Sequence, residues 1–554
     1  MKNKIILINY NGLSTELFSL MPDNGLATLA SFLVSNGYEP LVLDYVTTGI
    51  FQKFFTKKMK ETIKEIYRLN ENLFEHQAIK KMNELKGVFY EIIKEREYKI
   101  AEELITYIKK FNSPLIGFKL WEGAGFHGSI RIAEEIKKHL PKVITVAGGP
   151  HVDMYDTHIM DYTGSFDFLI YGEGEIALGE LIKYSLGKKD FKSIPNLIYR
   201  NGNNIKKNRQ QFISNIEEIP PPLYDEEIYP AMKGDEKIKA FLIEESRGCP
   251  NRCKFCIHPK KSGSTWRHKN PTRVVDEIES SPSVTVRLTG SNPPPGLLTS
   301  ISKEILRRNL SINYSTFGHA GNFPSEDYNL MRKAGCRAMA FGIESGSQYI
   351  LDRAIGKNIS AEQAKSALKA SKEAGIYTIA SVIVPSPYET EETIKETLDF
   401  LSDAKPDSVT AQFAILTPNT EWWEEPDKYA FQFKDREVLR KKLMLRNPPT
   451  LLPAPLWERI HYKLNNMGDR DIIKTTGNFI RELQKIGITH GISDFHSILA
   501  ISGKKDIKDL KEKSEKAFTE GDMEQIMDII ITINKNIYKP SSIISQESAF
   551  MGIT

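Results

Sequence analysis

The sequence predicts an α/β protein of three successive parts. A doubly wound parallel sheet comes first, a partial (β/α)6 barrel second, and a mostly helical C-terminal region third. Three observations carry this. Short apolar strands alternate with amphipathic helices over residues 1–190, the alternation restarts at 239 and runs to 420, and beyond Pro418 the pattern is mostly helical to Thr554. Alternation of this kind means parallel sheets covered on both faces. A chain of 554 residues also exceeds what one core sustains, so two to four domains are expected.

In the first part, residues 5–8 read as a buried strand and a helix follows from Asn24, its expected N-cap, with Leu26, Leu29, Phe32 and Leu33 on the apolar face. Asn36-Gly37 ends that helix, and 41–43 is the next strand. Strands follow at 115–118, 143–147 and 166–171, with helices over 129–140 and from Glu175. Between Asp44 and Ser113 a Lys- and Glu-rich insertion, residues 45–113, carries apolar residues at helical spacing (Ile63, Ile66, Tyr67; Met82, Leu85, Phe89; Leu104, Ile105, Ile108), predicting two or three amphipathic helices laid on the domain.

Residues 191–238 read as a hairpin and a linker stiffened by Pro220-Pro221-Pro222. Over 239–420, strands are expected near 240–244, 283–288, 311–315, 337–341, 377–384 and 408–415, with helices such as 361–374 and 391–401 between them. Such a barrel places its chemistry at the C-terminal ends of the strands. Residues 421–554 are expected to cap the barrel mouth, with Trp422, Trp423 and Trp457 as core residues or as the lining of an apolar pocket.

Lys and Arg number 75 against 71 Asp and Glu, a net charge of +4, which leaves no electrostatic footprint for nucleic acid. The opening apolar run breaks at Asn9 without a cleavage site, and no run of transmembrane length is apparent, so a soluble, cytoplasmic protein is expected. Of 4 cysteines, three lie within eight positions and Cys336 stands apart. A secreted disulfide framework spreads its cysteines in pairs; this clustering indicates metal.

The segment is Cys249-Pro250-Asn251-Arg252-Cys253-Lys254-Phe255-Cys256, directly after the first barrel strand. Soft thiolates suit iron–sulfur clusters or zinc. Zinc wants a fourth Cys or His, and the nearby candidate, His258, reads as solvent-facing or hydrogen-bonded. Three thiolates leave one iron of a cubane open to the amino and carboxylate groups of S-adenosylmethionine. On this strand–loop the spacing resembles the radical SAM superfamily.

Other segments extend the resemblance. Gly342-Ile343-Glu344-Ser345-Gly346 resembles the fourth-strand pattern, implying that Glu344 and Ser345 hold S-adenosylmethionine; a strand-end carboxylate can accept both ribose hydroxyls. Phe255 resembles the aromatic position near the adenine, and Cys336 reads as a buried small hydrophobe. Pro385-Ser386-Pro387-Tyr388-Glu389-Thr390 resembles the fifth-strand turn, with Tyr388 where glycine is usual, and Pro418-Asn419-Thr420 echoes the turn after the sixth strand. Thr289-Gly290-Ser291-Asn292 departs from the usual Gly-Gly-Glu-like turn, so the partner of the methionine amine is not identified.

In the first part, Pro22-x-x-Gly25-Leu26-Ala27, Gly148-Gly149-Pro150-His151 and Tyr171-Gly172-Glu173-Gly174-Glu175 together resemble the cobalamin-binding domain of class B radical SAM enzymes. Glycine turns at the C-terminal edge of a doubly wound sheet let backbone approach a large planar ligand. The resemblance implies that Gly148, Gly149, His151, Gly172, Glu173 and Gly174 line a cobalamin site, with His151 a pocket residue and not an axial ligand. Asp156-Thr157-His158 and Asp494-Phe495-His496 lack the glycine and the position of an axial-histidine motif. A flavodoxin-like packing domain is the bland alternative.

The resemblance implies a [4Fe–4S] cluster, S-adenosylmethionine and cobalamin as cofactors, and a flavodoxin or ferredoxin as electron donor. It implies a C-methyltransferase: a 5′-deoxyadenosyl radical takes hydrogen from an unactivated carbon, and methylcobalamin supplies the methyl group. The alternatives are a cobalamin-binding cyclase or rearrangement enzyme, a tRNA-modifying methylthiotransferase, which needs further cysteines, and a non-catalytic cluster module. Peptide, lipid precursor and antibiotic intermediate all stand as substrate classes.

Overall fold

The computed structural model describes residues 4–70, 76–453, 456–457 and 459–538. The first sheet contains β1 (Lys4–Asn9), β2 (Glu39–Asp44), β3 (Leu115–Lys119), β4 (Ile144–Gly148), β5 (Phe168–Ile170), β6 (Leu197–Asn201) and β7 (Asn204–Lys207). Its order is β2-β1-β3-β4-β5-β6-β7; the first five strands are parallel and the β6–β7 hairpin extends the edge antiparallel. The order reverses direction between β1 and β3, where the strand ends open a crevice in doubly wound sheets. Asp23, not Asn24, caps the first helix (Asn24–Ser35), its carboxylate accepting from the Leu26 amide at 2.8 Å. The helix after β3 begins at Ala124, five residues before its expected start.

Among its described residues the insertion forms three helices, Thr48–Phe54, Lys57–Asn70 and His76–Phe111. The last is anchored by buried Glu97, which accepts from Tyr10 Oη at 2.8 Å and pairs with Arg131 at 2.5 Å. Met82, Phe89 and Leu104 share one core with the C-terminal helices through Phe518 and Ile530, so the insertion joins the two ends of the chain.

The cluster loop is bounded by β8 (Phe241–Ile243), β9 (Ser246–Arg247) and β10 (Arg267–His268). The barrel continues with β11 (Thr285–Leu288), β12 (Asn313–Gly318), β13 (Cys336–Glu344), β14 (Tyr377–Ile383) and β15 (Ser408–Gln412). A short ribbon, β16 (Phe431–Gln432) with β17 (Lys463–Leu464), follows, and β18 (Thr489–His490) returns to pair parallel with β15. The open barrel sheet is β8-β11-β12-β13-β14-β15-β18, seven strands where six were expected.

The C-terminal region also reaches into the barrel. Helix Asp494–Ser502 packs across β11 to β14 and plugs the barrel interior. There Arg287 donates to Asp494 at 2.6 Å, both buried, with its guanidinium 4.5 Å from the Phe317 ring centroid and 4.3 Å from that of Phe495. Asp494→Ala leaves this cation buried and unpaired, and is expected to cost about 3–5 kcal/mol, read as a lower urea midpoint.

One stretch, Leu17–Ser35, meets the length and hydropathy of a membrane-crossing segment, contrary to the sequence reading. In the fold it is a 3-10 turn and the helix Asn24–Ser35, with 61% of the window buried inside the protein.

Candidate active site between the two sheets

The cluster loop leaves β8 at the C-terminal end of the barrel sheet. Gly248 is held at φ +84°, where a Cβ would collide with the Thr265 carbonyl oxygen, so only glycine fits before the first cysteine. The Cys249 amide donates to the Gly263 carbonyl at 3.1 Å, and the Cys256 amide to the Cys253 carbonyl at 3.0 Å. The His258 amide points at Cys256 Sγ (3.4 Å) and the Asn292 amide group at Cys249 Sγ (3.3 Å).

Cys249, Cys253 and Cys256 are free and partly exposed, whereas Cys336 is buried at the opposite end of β13. Burial pushes the Cys253 thiol up to about 12 and raises that of Cys256, so metal binding must displace protons. Among the described residues no three His, Cys, Asp or Glu side chains converge on a single ion. The donor set fits an iron–sulfur cluster with one iron open.

Beside the cysteines stands Glu344, the last residue of β13. A register shift against β14 and a φ of +68° turn it out of the strand, an uncommon conformation for a non-glycine residue. Its carboxylate pairs with Lys357 Nζ at 3.0 Å, and Lys357 also acts electrostatically on Cys253 and Cys256. Ser345 is turned the other way: it is fully buried, its Oγ 3.1 Å from Thr397 Oγ1, and it steadies the strand end instead of facing the mouth. Phe255 packs 5.5 Å from Trp422, and the Trp422 amide donates to the Lys254 carbonyl at 3.0 Å. Trp422 and Trp423 are core residues, and Trp422 braces the cluster loop.

Between this loop and the first sheet lies an open cleft with a cavity of about 380 Å³. That falls within the roughly 300–1,000 Å³ of small-molecule and cofactor sites. One wall is the C-terminal edge of the sheet, including Lys119, Gly148, Gly149, Gly172 and Gly174; the other includes Gly248, His258 and Lys261. Its glycine-lined sheet edge, where backbone is open to close approach, fits a corrinoid. His258 is the one histidine among the described lining residues, and it comes from the cluster side; burial lowers its pKa to about 4. His158 lies against Arg440 at 2.8 Å and His496 against Glu16 at 3.2 Å, both away from the cavity.

Glu173 joins the two walls. It lines the cavity, pairs with Arg267 at 2.8 Å and Arg247 at 3.6 Å, and accepts from the Ile213 amide at 2.6 Å. Arg247 also pairs with Glu175 at 2.6 Å and Glu244 at 2.9 Å. Burial pushes Glu175 up, but Arg247 outweighs it and its carboxyl ends below the ordinary range. These ion pairs fix the Gly172–Gly174 turn against the residues entering the cluster loop.

His151 does not line the cavity. The helix that begins at Pro150 turns its ring into the core, 4.3 Å from Phe126 and 4.7 Å from Tyr155 by centroid. Neither ring nitrogen has a well-formed partner, and burial lowers its pKa to about 3. Between pH 6.5 and 3 the unfolded chain therefore binds a proton that the folded chain refuses, and stability falls with acidification. His151→Phe is expected to remove about 3 kcal/mol of that loss by pH 4, seen as a flatter melting temperature against pH.

Sequence reasoning missed Lys357, Arg247, Asn292 and the Lys119–Asp23 pair at 2.5 Å on the sheet-side wall. Their defining partners are distant in sequence, Arg247 having Glu244 nearby but Glu173 and Glu175 across the cavity; the glycines beside Lys357 and Arg247 were the available signal.

The Radical SAM superfamily pattern matches residues 243–401, and the B12 binding domain pattern matches 80–182. An uncharacterized methyltransferase of Pyrococcus horikoshii, PH0819, is 30% identical over 335 residues, covering 58% of this chain and 71% of that protein. The anaerobic magnesium-protoporphyrin IX monomethyl ester cyclase of Rubrivivax gelatinosus is 27% identical over 307 residues, 52% of this chain and 53% of its own length. The fold matches that of the radical S-adenosylmethionine methyltransferase TsrM from Kitasatospora setae, solved with cobalamin and a [4Fe–4S] cluster, with TM-score 0.62 at 16% identity over 96% of this chain and 99% of that one. With a cluster loop on one wall and a glycine-edged doubly wound sheet on the other, this chain belongs to the class B, cobalamin-binding radical SAM enzymes.

Proposed function

We propose that the protein is a C-methyltransferase acting on an unactivated carbon of a small-molecule, lipid-precursor or peptide substrate. The observation that carries this is the single cavity whose two walls are the sheet edge and the cluster loop. When bound, the cluster with S-adenosylmethionine supplies a 5′-deoxyadenosyl radical and the corrinoid supplies a methyl group. Cys249, Cys253 and Cys256 hold the cluster. Glu344 offers a carboxylate to the ribose hydroxyls, with Lys357 holding it in place. Gly148, Gly149, Gly172 and Gly174 let the corrinoid lie against backbone, and the Glu173–Arg247–Arg267 pairs hold the two sites in register. Phe255 and Trp422 shield the cluster side from water. A cytoplasmic setting, where the thiols stay reduced, and a flavodoxin or ferredoxin donor complete the reading.

The similarity to the cyclase favours a second reading, radical chemistry without methyl transfer. Incubating the loaded enzyme with S-adenosylmethionine deuterated in its methyl group and with cell-extract fractions separates the two by mass spectrometry. The expected product carries the heavy methyl group. Formation of 5′-deoxyadenosine beside a product with no heavy methyl group would overturn methyl transfer in favour of the cyclase reading.

A further inference from the structure

The turn after β11, Thr289-Gly290-Ser291-Asn292, stands where an acidic turn is usual in this family, and its geometry gives it another task. We propose that Asn292 is a positioning residue that donates a hydrogen bond to the Cys249 thiolate and raises the reduction potential of the cluster. The inference rests on the cluster assignment above and goes beyond it.

Asn292 is buried, and its amide nitrogen lies 3.3 Å from Cys249 Sγ. The orientation of that amide is set independently. Its side-chain oxygen accepts from the Asn322 amide at 3.3 Å, which leaves the NH2 group facing the sulfur. Asn322 is in turn held by donating to the Pro293 carbonyl at 2.9 Å, and the Trp266 indole donates to the Asn292 backbone carbonyl at 2.8 Å. The start of the turn is fixed by Glu245, which is fully buried and accepts from the Thr289 amide at 2.9 Å and the Gly290 amide at 3.0 Å. Five hydrogen bonds from four residues thus hold one donor against one cluster ligand.

A thiol is a weak acceptor, but a thiolate on iron is a strong one, and it gains charge when the cluster takes up an electron. A donor fixed at that sulfur favours the reduced form, which is the lever by which hydrogen bonds set iron–sulfur potentials. The neutral amide does this without the charge that an acidic turn would bring beside the cluster.

The test is a redox titration of the reconstituted, full-length protein followed by electron paramagnetic resonance, for the wild type, Asn292→Leu and the isosteric Asn292→Asp. Removing the donor is expected to lower the ratio of reduced to oxidised cluster at fixed potential roughly tenfold, a shift of about 59 mV to more negative midpoint for a one-electron couple. Asn292→Asp is expected to shift it at least as far, because a carboxylate replaces the donor. Pulsed measurements in D2O are expected to show an exchangeable-deuteron coupling that Asn292→Leu loses. Full cluster with an unchanged midpoint in both variants overturns the proposal. If Asn292→Leu fails to assemble a cluster, the Asn292→Asp midpoint decides alone. A wild type that binds no cluster overturns the underlying reading instead.

Discussion

Cys256→Ala, purified without oxygen and reconstituted with iron and sulfide, is expected to lose the four-iron cluster, and cleavage of S-adenosylmethionine is expected to fall to background. In the proposed site each of the three thiolates would hold a separate iron corner, so none substitutes for another. Among the described residues the nearby alternatives lie elsewhere: Cys336 is buried at the far end of its strand, and His258 lines the cavity between the two sheets. Corrinoid binding is expected to survive, because the sheet-side wall does not involve the cysteine. The assay reads iron, sulfide and corrinoid on the same sample. A cluster that persists in this variant would mean that another ligand set holds it.

The converse experiment is Gly174→Phe. Gly174 lies at φ −95° before the helix Glu175–Ser185, so the backbone accepts a side chain, and a Cβ there meets Leu29 at 3.5 Å, an ordinary contact. Both residues line the cavity, so the phenyl ring occupies the space assigned to the corrinoid. Corrinoid affinity is expected to fall by about a hundredfold or more, some 2.7 kcal/mol. The cluster is expected to assemble fully and 5′-deoxyadenosine to form still, uncoupled from methylated product. Spectrophotometric titration with hydroxocobalamin reads the first effect and chromatography the second. Normal corrinoid binding in a folded variant would move the cofactor away from this edge of the sheet.

The two cofactor sites differed in how much the sequence revealed. The cysteine loop is legible because its three ligands are contiguous and sit on a strand end, where the fold needs no long-range information. The glycine turns after β4 and β5 are legible for the same reason. His151 was placed in the pocket as the neighbour of Gly148 and Gly149, but the short helix starting at Pro150 rotates its ring into the core. Ser345 follows Glu344 directly, yet the strand turns there and sends it toward Thr397. The seventh barrel strand is two residues of Thr489–His490 without apolar alternation, and the plug helix Asp494–Ser502 has the pattern of any buried helix. The strand joins the barrel by pairing with β15, and the helix by Asp494 meeting Arg287 across 207 positions, contacts that no local pattern announces. The Asn292–Asn322 and Glu344–Lys357 pairs are hidden in the same way.

The central claim is that one chain holds a [4Fe–4S] cluster and a corrinoid on facing walls of one cavity. Anaerobic purification from cells supplied with cobalamin, iron and sulfide, followed by quantitation of all three on the full chain, tests it most directly. One four-iron cluster and one corrinoid per chain is the expected result. A full cluster with no corrinoid under saturating supply would contradict the claim and leave the first sheet as a packing domain on an ordinary radical SAM barrel.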